Sequence, residues 1–266
     1  MTSHSQAKRP RLALTGATGR VATLLRPFLP TASWFGRGDD LSAVAGHDAL
    51  ICLAGVTGGD PESLRDNSEV ARTALQAAEA EGVPRVFLIS SAAVYGRATG
   101  PLRAEAAPTP ASPYGAAKAD MEAAVEAWRA TAPSGIQAVV LRLGNVAGAD
   151  ALLGALRPGT VPDLHTWPDG STPRRSYIGP RFLASVLTRL ATLPGLPDTL
   201  NVAAPGAVEM AELLRAAGRD WTPVPAPPGA IAEVRLDTAP LARLVPLPPE
   251  AGTAEGMVGE WREATA

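Results

Sequence analysis

Three residues in this sequence have the types and spacing needed for proton transfer. Tyr114 and Lys118 stand four positions apart in Tyr114-Gly-Ala-Ala-Lys118, so on a helix they share one face and meet over the same ligand. A free tyrosine ionises near pH ~10, too high for a base at neutral pH, but a neighbouring ammonium stabilises the phenolate. Ser91 ends the apolar run that begins at Val86, where its hydroxyl can bind the substrate oxygen whose proton Tyr114 moves. Tyrosine–lysine pairs of this spacing are common on helices. What singles this one out is a serine-ended strand before it and a glycine turn near the start of the chain.

The glycine turn lies in Arg11-Leu-Ala-Leu-Thr-Gly-Ala-Thr-Gly-Arg-Val-Ala22. Leu12 to Leu14 reads as a buried strand, and Gly16 and Gly19 allow a tight turn with close approach of the backbone to a pyrophosphate. The free amides of the helix that follows then face the phosphates. Gly19 to Leu29 has a helical apolar pattern, with Pro27 and Pro30 marking its end. Ser33 to Gly36 can form a second strand. From there to the apolar run Ala49-Leu-Ile-Cys-Leu-Ala54, the link Arg37 to Asp48 is twelve residues long, too short for a helix, a strand and their turns.

Asp60-Pro61 is a cap followed by a first-turn proline and opens a helix running to about Glu81. Val86 to Ser90 follows as a strand, Ser112-Pro113 repeats the cap signal ahead of a helix from Tyr114 to about Ala130, and Ala138 to Leu143 is the next strand. Strands separated by helices over this length predict an α/β fold with a parallel, doubly wound sheet whose ligand lies at the carboxyl ends of the strands. Further on, Leu200 to Ala203 reads as a returning strand and Val208 to Ala217 as a helix. Beyond Trp221, a proline-rich run, a short helix from Thr238 to Leu244 and the tail around Trp261 are expected to form a compact cap.

Composition sets outer limits. With 266 residues, 46% of them hydrophobic, the chain can bury a full core. A net charge of −2 gives no basic field for nucleic acid. The single Cys52 excludes an internal disulfide and a multi-cysteine metal site, which fits a reduced, cytoplasmic setting. Met1 to Pro10 is polar and reads as a loose tail without a secretory apolar core, and no run reaches membrane-spanning length.

Five segments, taken together and in order, resemble the extended short-chain dehydrogenases/reductases, the group of NAD(P)-dependent nucleotide-sugar epimerases, dehydratases and related reductases. They are Thr15 to Ala22, Asp48 to Gly55, Ser90-Ser-Ala-Ala-Val-Tyr-Gly96, Tyr114 to Lys118 and Arg142-Leu-Gly-Asn145. The resemblance covers roughly residues 11 to 205. It implies a Rossmann-type core over 10–205 and a smaller substrate lobe from 151–174 and 206–266. It makes Ser91, Tyr114 and Lys118 the catalytic residues, and Ser91 rather than Ser90 because the family's serine stands four positions before the tyrosine of the Val-Tyr-Gly segment, here Tyr95. Lys118 would also bind the nicotinamide ribose. Cofactor contacts fall to Gly16, Thr18, Gly19, Arg20 and Val21 in the turn, to Leu53, Ala54 and Gly55 after the third strand, and to Tyr114. Asn145 and Arg175 would bind substrate, Arg175 through the diphosphate of a nucleotide sugar.

The departures from the family are as telling. The twelve-residue link omits the helix and strand the family places there, so the sheet should lack one edge unit and leave its second strand exposed or covered by a partner. Where an NAD site usually carries an acidic residue, this chain has Phe35-Gly36-Arg37. Arg37, helped by Arg20, would pair with the 2′-phosphate of NADP, although Asp39 or Asp40 becomes a diol acceptor if the strand ends later. Ala92-Ala93 follow Ser91, where the dehydratase branch has an acidic pair. Gly179-Pro-Arg-Phe182 replaces the family's histidine-valine-aspartate-aspartate run. His165 and Trp167 read as loop residues that pack rather than bind. The expected function is a nucleotide-sugar epimerase, with a dehydrogenase or reductase of sugar acids or small carbonyl compounds as the alternative and a non-catalytic nucleotide sensor third. A homodimer through the Tyr114 helix and the long helix before it is also expected.

Overall fold

The structure is a computed structural model that describes residues 9–132 and 135–266; most of the N-terminal tail, residues 1–8, lies outside the described residues. The chain opens with β1 (Leu12–Thr15), α1 (Arg20–Leu25), β2 (Ser33–Phe35), β3 (Ala49–Cys52), α2 (Pro61–Glu81) and β4 (Arg85–Ser91). It continues through β5 (Pro101–Leu102), α3 (Pro113–Arg129) and β6 (Gln137–Leu143). Then come β7 (Asn145–Val146), β8 (Asp163–Thr166), β9 (Arg174–Arg175), β10 (Tyr177–Ile178) and α4 (Pro180–Leu190). The remainder is β11 (Thr199–Val202), β12 (Val208–Glu209), α5 (Met210–Ala216), β13 (Thr222–Pro225), β14 (Glu233–Leu236), α6 (Ala239–Leu244) and α7 (Ala254–Thr265).

The central sheet has the order β11-β6-β4-β3-β1-β2, with every pairing parallel. Because successive side chains of a strand point to opposite faces, Leu12 and Leu14 of β1 pack with α1 and α4, while Ala13 packs with α2 and α3. Val139 and Leu141 of β6 join the first layer and Ala138 and Val140 the second. The site-bearing strands are thus clamped from both sides, each fully buried Leu or Val contributing about 1.5–3 kcal/mol.

Local signals set the ends of the long helices. Asp60 accepts from Ser63 N at 2.8 Å ahead of Pro61, and Ser112 Oγ accepts from Gly115 N at 3.1 Å ahead of Pro113. The link 37–48 holds only a 3₁₀ turn over Leu41–Val44, capped by Asp40, and β2 is the sheet edge. His47 ties that edge down: its ring nitrogens contact Val44 O and Ser33 Oγ, both at 2.9 Å.

Several C-terminal expectations change. Val208 and Glu209 are a strand paired with β9, and the helix begins only at Met210, where Glu209 and Glu212 form a capping box. The proline-rich run contains β13, parallel to β8, so His165 lies on a strand instead of in a loop. The first helix ends at Leu25 and tightens to a 3₁₀ turn over Arg26–Phe28, around Pro27. The tail around Trp261 is the twelve-residue α7, packed against α1, α4 and α5.

Candidate active site

The carboxyl ends of β4 and β6 open onto a cavity of about 290 Å³. It is lined by Ser91, Tyr114, Lys118 and Asn145, and also by Val21, Leu53 and Gly55. Residues scattered over 125 positions thus reach one place through the parallel topology. Tyr114 arrives on the first turn of α3. The glycine after it is required there: a Cβ at Gly115 would lie 2.5 Å from Ala93 O, so only glycine lets this turn sit against the segment following Ser91. Ser91 also accepts from Ala93 N at 3.2 Å, fixing the turn that carries it.

The electrostatics depart from the simple pairing of Tyr114 with Lys118. Burial pushes the Tyr114 phenol above its usual range, opposed by a hydrogen bond with Ser91. The Lys118 ammonium, 5% exposed, donates to Ile89 O at 2.9 Å, and burial pulls its pKa down while the Glu122 carboxylate opposes this. Without a ligand, Tyr114 is therefore protonated at neutral pH and its nearest regulator is the serine.

The dinucleotide side has a cradle of matching shape. Gly16 has φ +77°, and a Cβ there would lie 2.7 Å from Ala54 N, so the turn closes onto the end of β3 only with glycine. A Cβ at Gly55 would lie 3.2 Å from Lys118 Nζ. Behind it Asn67, 2% exposed, donates to Val56 O and Leu64 O and holds this wall in place; its position inside an ordinary helix gave no sequence signal. These residues fit NAD(P): the glycine turn lets backbone amides reach a pyrophosphate, and a buried ammonium faces the cavity where ribose hydroxyls would lie.

Other expected residues stand apart from the cavity. Thr18, Gly19, Arg20 and Arg37 are exposed; Arg20 donates to Asp150 O at 3.4 Å. Asp39 and Asp40 are engaged within their own loop, accepting from Gly36 N and from Ser42. Arg175 does not line the cavity; its guanidinium donates to the carbonyls of Arg174, Ile231 and Ala232. His165 and Trp167 do not line it either.

Beneath Ser91, Tyr114 and Lys118 runs a buried network with no counterpart among the sequence expectations. Ser90 Oγ donates to Glu122 Oε1 at 2.5 Å, and Glu122 pairs with Arg142 at 2.8 Å. Arg142 also donates to the carbonyls of Ala104 and Ala106 and stacks on the Tyr95 ring, 4.9 Å from its centre. Arg142 was legible only as part of a motif; the partner that balances its charge lies 20 positions away.

Among the described residues no group of three or more His, Cys, Asp or Glu side chains is placed to hold a metal, and no helix is long and apolar enough to cross a membrane.

Residues 37–163 match the family model of the NAD dependent epimerase/dehydratase family. A UDP-glucose 4-epimerase of Azospirillum brasilense is 40% identical over 87 residues, which are 32% of this chain and 24% of that protein; the match spans about a quarter of that relative's length. Among solved structures, the fold is similar to that of a UDP-N-acetylglucosamine 4-epimerase from Methanobrevibacter ruminantium M1 in complex with UDP-N-acetylmuramic acid. The TM-score is 0.78 at 19% identity, covering 97% of this chain and 100% of that one. RMD from Pseudomonas aeruginosa, complexed with NADPH, gives 0.74 at 23% identity over 96% and 98% of the two chains. An NAD-dependent NDP-hexosamine 5,6-dehydratase, TunA, gives 0.73 at 20% identity, again over 96% and 98%. The matched segment, a little under half of this chain, is similar to the NAD dependent epimerase/dehydratase family, and the whole chain shares the fold of those solved structures.

Proposed function

We propose that this protein is an NAD(P)-dependent nucleotide-sugar epimerase. The observation that carries the reading is the convergence of Ser91, Tyr114, Lys118 and Asn145 on one cavity beside the glycine turn. Bound NAD(P) would supply hydride transfer to and from a sugar carbon. Tyr114 would take the proton from the hydroxyl on that carbon and return it, since epimerisation requires both directions. Ser91 would hold the same oxygen, and Lys118 would bind the ribose and stabilise the phenolate once it forms. Leu53, Leu143 and Val146 supply apolar walls that keep water from the reacting carbon.

The test is to purify the protein without added nucleotide, denature it and identify any dinucleotide released. Stoichiometric dinucleotide, together with interconversion of UDP-glucose and UDP-galactose, supports the epimerase. An empty protein that binds dinucleotide on titration favours the second reading, an exchanging dehydrogenase or reductase. That reading is favoured by one observation: the Arg175 guanidinium is engaged by three backbone carbonyls rather than free for a diphosphate. Binding of neither dinucleotide overturns both. The intact Tyr114–Lys118 pair argues against a non-catalytic sensor.

For the cofactor we favour NADP. Arg37 is exposed just past β2, and the nearby carboxylates of Asp39 and Asp40 are engaged by their own loop. Arg37→Ala should weaken NADP binding by roughly tenfold, the value of one charge-assisted hydrogen bond, and leave NAD unchanged; equal binding of both nucleotides by the variant and the native protein would exclude this role. A homodimer through α2 and α3, which pack side by side on one sheet face, is the assembly we favour, and a monomer mass at micromolar concentration would count against it.

A further inference from the structure

The two arginines at either end of α1 reach in opposite directions. Arg20, its first residue, donates to Asp150 O at 3.4 Å, and Asp150 lines the cavity. The Arg20 guanidinium is thus drawn to the substrate side of the glycine turn and away from β2, where it was expected beside Arg37. Arg26 follows the last residue of α1 and folds back along the helix. Its Nη2 donates to Ala17 O at 3.0 Å, and its guanidinium carbon stands 4.7 Å from the centre of the Trp34 ring. Trp34 is the middle residue of β2, and Ala17 N donates to Phe35 O, on the last residue of that strand, at 3.1 Å. Two separate contacts therefore set the Arg26 guanidinium beside the carboxyl end of β2, close to where Arg37 follows.

That end of β2 is where a doubly wound sheet takes the adenosine ribose, and where an arginine accommodates the 2′-phosphate of NADP. Arg26 has the means to do so. A guanidinium carries five N–H donors, and among the described residues Arg26 makes one hydrogen bond and no ion pair. A carbonyl and an aromatic ring hold the side chain in place without neutralising it, so its charge stays available and little rotamer freedom is left to lose when an anion arrives. The residue is exposed, so a phosphate can reach it.

We infer that Arg26 is a specificity-determining residue for the dinucleotide: together with Arg37 it binds the 2′-phosphate of NADP, the part expected of Arg20. This rests on the NADP reading and adds to it the second guanidinium. A purely structural Arg26, covering Trp34 and closing the turn, would make a different prediction, because NAD and NADP differ only at the 2′-position and a loosened turn weakens both alike.

The test is the Kd of NADP and of NAD, by calorimetric titration, for the native protein, Arg26→Ala, Arg26→Gln and Arg20→Ala. The native protein should bind NADP more tightly. Both Arg26 variants should weaken NADP about 10-fold, the value of one charge-assisted hydrogen bond, and leave NAD unchanged, so the ratio of the two constants falls by the same factor. Arg26→Gln keeps a donor for Ala17 O and an aliphatic stem over Trp34, so it guards against a variant that fails to fold and isolates the loss of charge. Arg20→Ala should leave the ratio as it is. If the native protein prefers NADP and Arg26→Gln keeps that preference, or weakens both nucleotides equally, the NADP reading stands and the role of Arg26 is overturned. A ratio that collapses in Arg20→Ala but not in Arg26→Gln would return the phosphate to Arg20. A native preference for NAD would overturn the NADP reading and the Arg26 assignment together, and would leave Asp39, whose carboxylate accepts from Gly36 N at 2.6 Å, as the acceptor for the ribose diol.

Discussion

The two walls of the cavity are built in different ways. On one wall, Ser91 ends a seven-residue strand and Tyr114 and Lys118 ride a seventeen-residue helix started by its Ser112 cap, each element stabilised along its own length. On the opposite wall, Asn145 and Tyr177 sit on strands of two residues each. Behind Asn145, the Tyr177 hydroxyl is held by Asp150, and Asp150 by three amides of the segment after it. Short strands hold few ladder bonds, so side-chain networks must supply the order that long elements supply elsewhere. The contrast separates a wall held by long elements from one held by side-chain hydrogen bonds.

The sharpest way to break the contrast is at the Tyr114 wall itself. Tyr114→Phe should lower turnover by about 10²–10⁴-fold, the usual range for a lost acid/base group. Dinucleotide affinity should be nearly unchanged, because the phenol oxygen is absent from the glycine cradle. Wild-type-like turnover in steady-state assays would remove Tyr114 from its role.

Next in size is the network beneath that wall. Glu122→Ala leaves Arg142 buried without its counter-charge, the side chains being 10% and 5% exposed, and should cost about 3–5 kcal/mol by urea denaturation. Glu122→Gln, which keeps an acceptor for Ser90 and Arg142, should cost clearly less. Equal losses would mean that packing rather than charge is what Glu122 provides.

The smallest effect concerns the opposite wall's support. Glu260 of α7 accepts from Phe182 N at 3.0 Å at the start of α4. Burial raises its pKa above the usual carboxylate range, opposed by the Phe182 and Arg181 amides and the Arg181 charge. The folded state then binds more protons than the unfolded chain between the ordinary and the raised value, so stability falls as pH rises through that window. Glu260→Gln should flatten this slope in thermal scans from acidic to neutral pH. An unchanged slope would assign the dependence to other groups.

Legibility followed the same division. The glycine turn, the cap-and-proline starts at Asp60 and Ser112 and the apolar runs of β1, β3, β4 and β6 are local patterns, and the chain folds as they indicate. The length of the twelve-residue link excluded a helix and a strand from it, and the resemblance to the family made that a missing edge unit. The substrate side was harder. β13 and β14 lie in a stretch of prolines and mixed residues that carries no two-residue period, and they form because β8, β5 and β9 offer them edges. Arg175 has the composition of a phosphate ligand, yet carbonyls 56 and 57 positions away engage it. Asp150 had no motif to mark it.

By itself, the sequence determined which segments are strands and helices in the doubly wound core and which side chains stand at the ends of those strands, because hydrophobic period, caps and glycine turns act over a few neighbouring residues. Only the tertiary structure decided what those side chains meet. Lys118 turns to Ile89, Glu122 to Arg142 and Ser90, and Tyr177 to Asp150, since a buried polar group must find its partner wherever the fold brings one within reach, however distant along the chain.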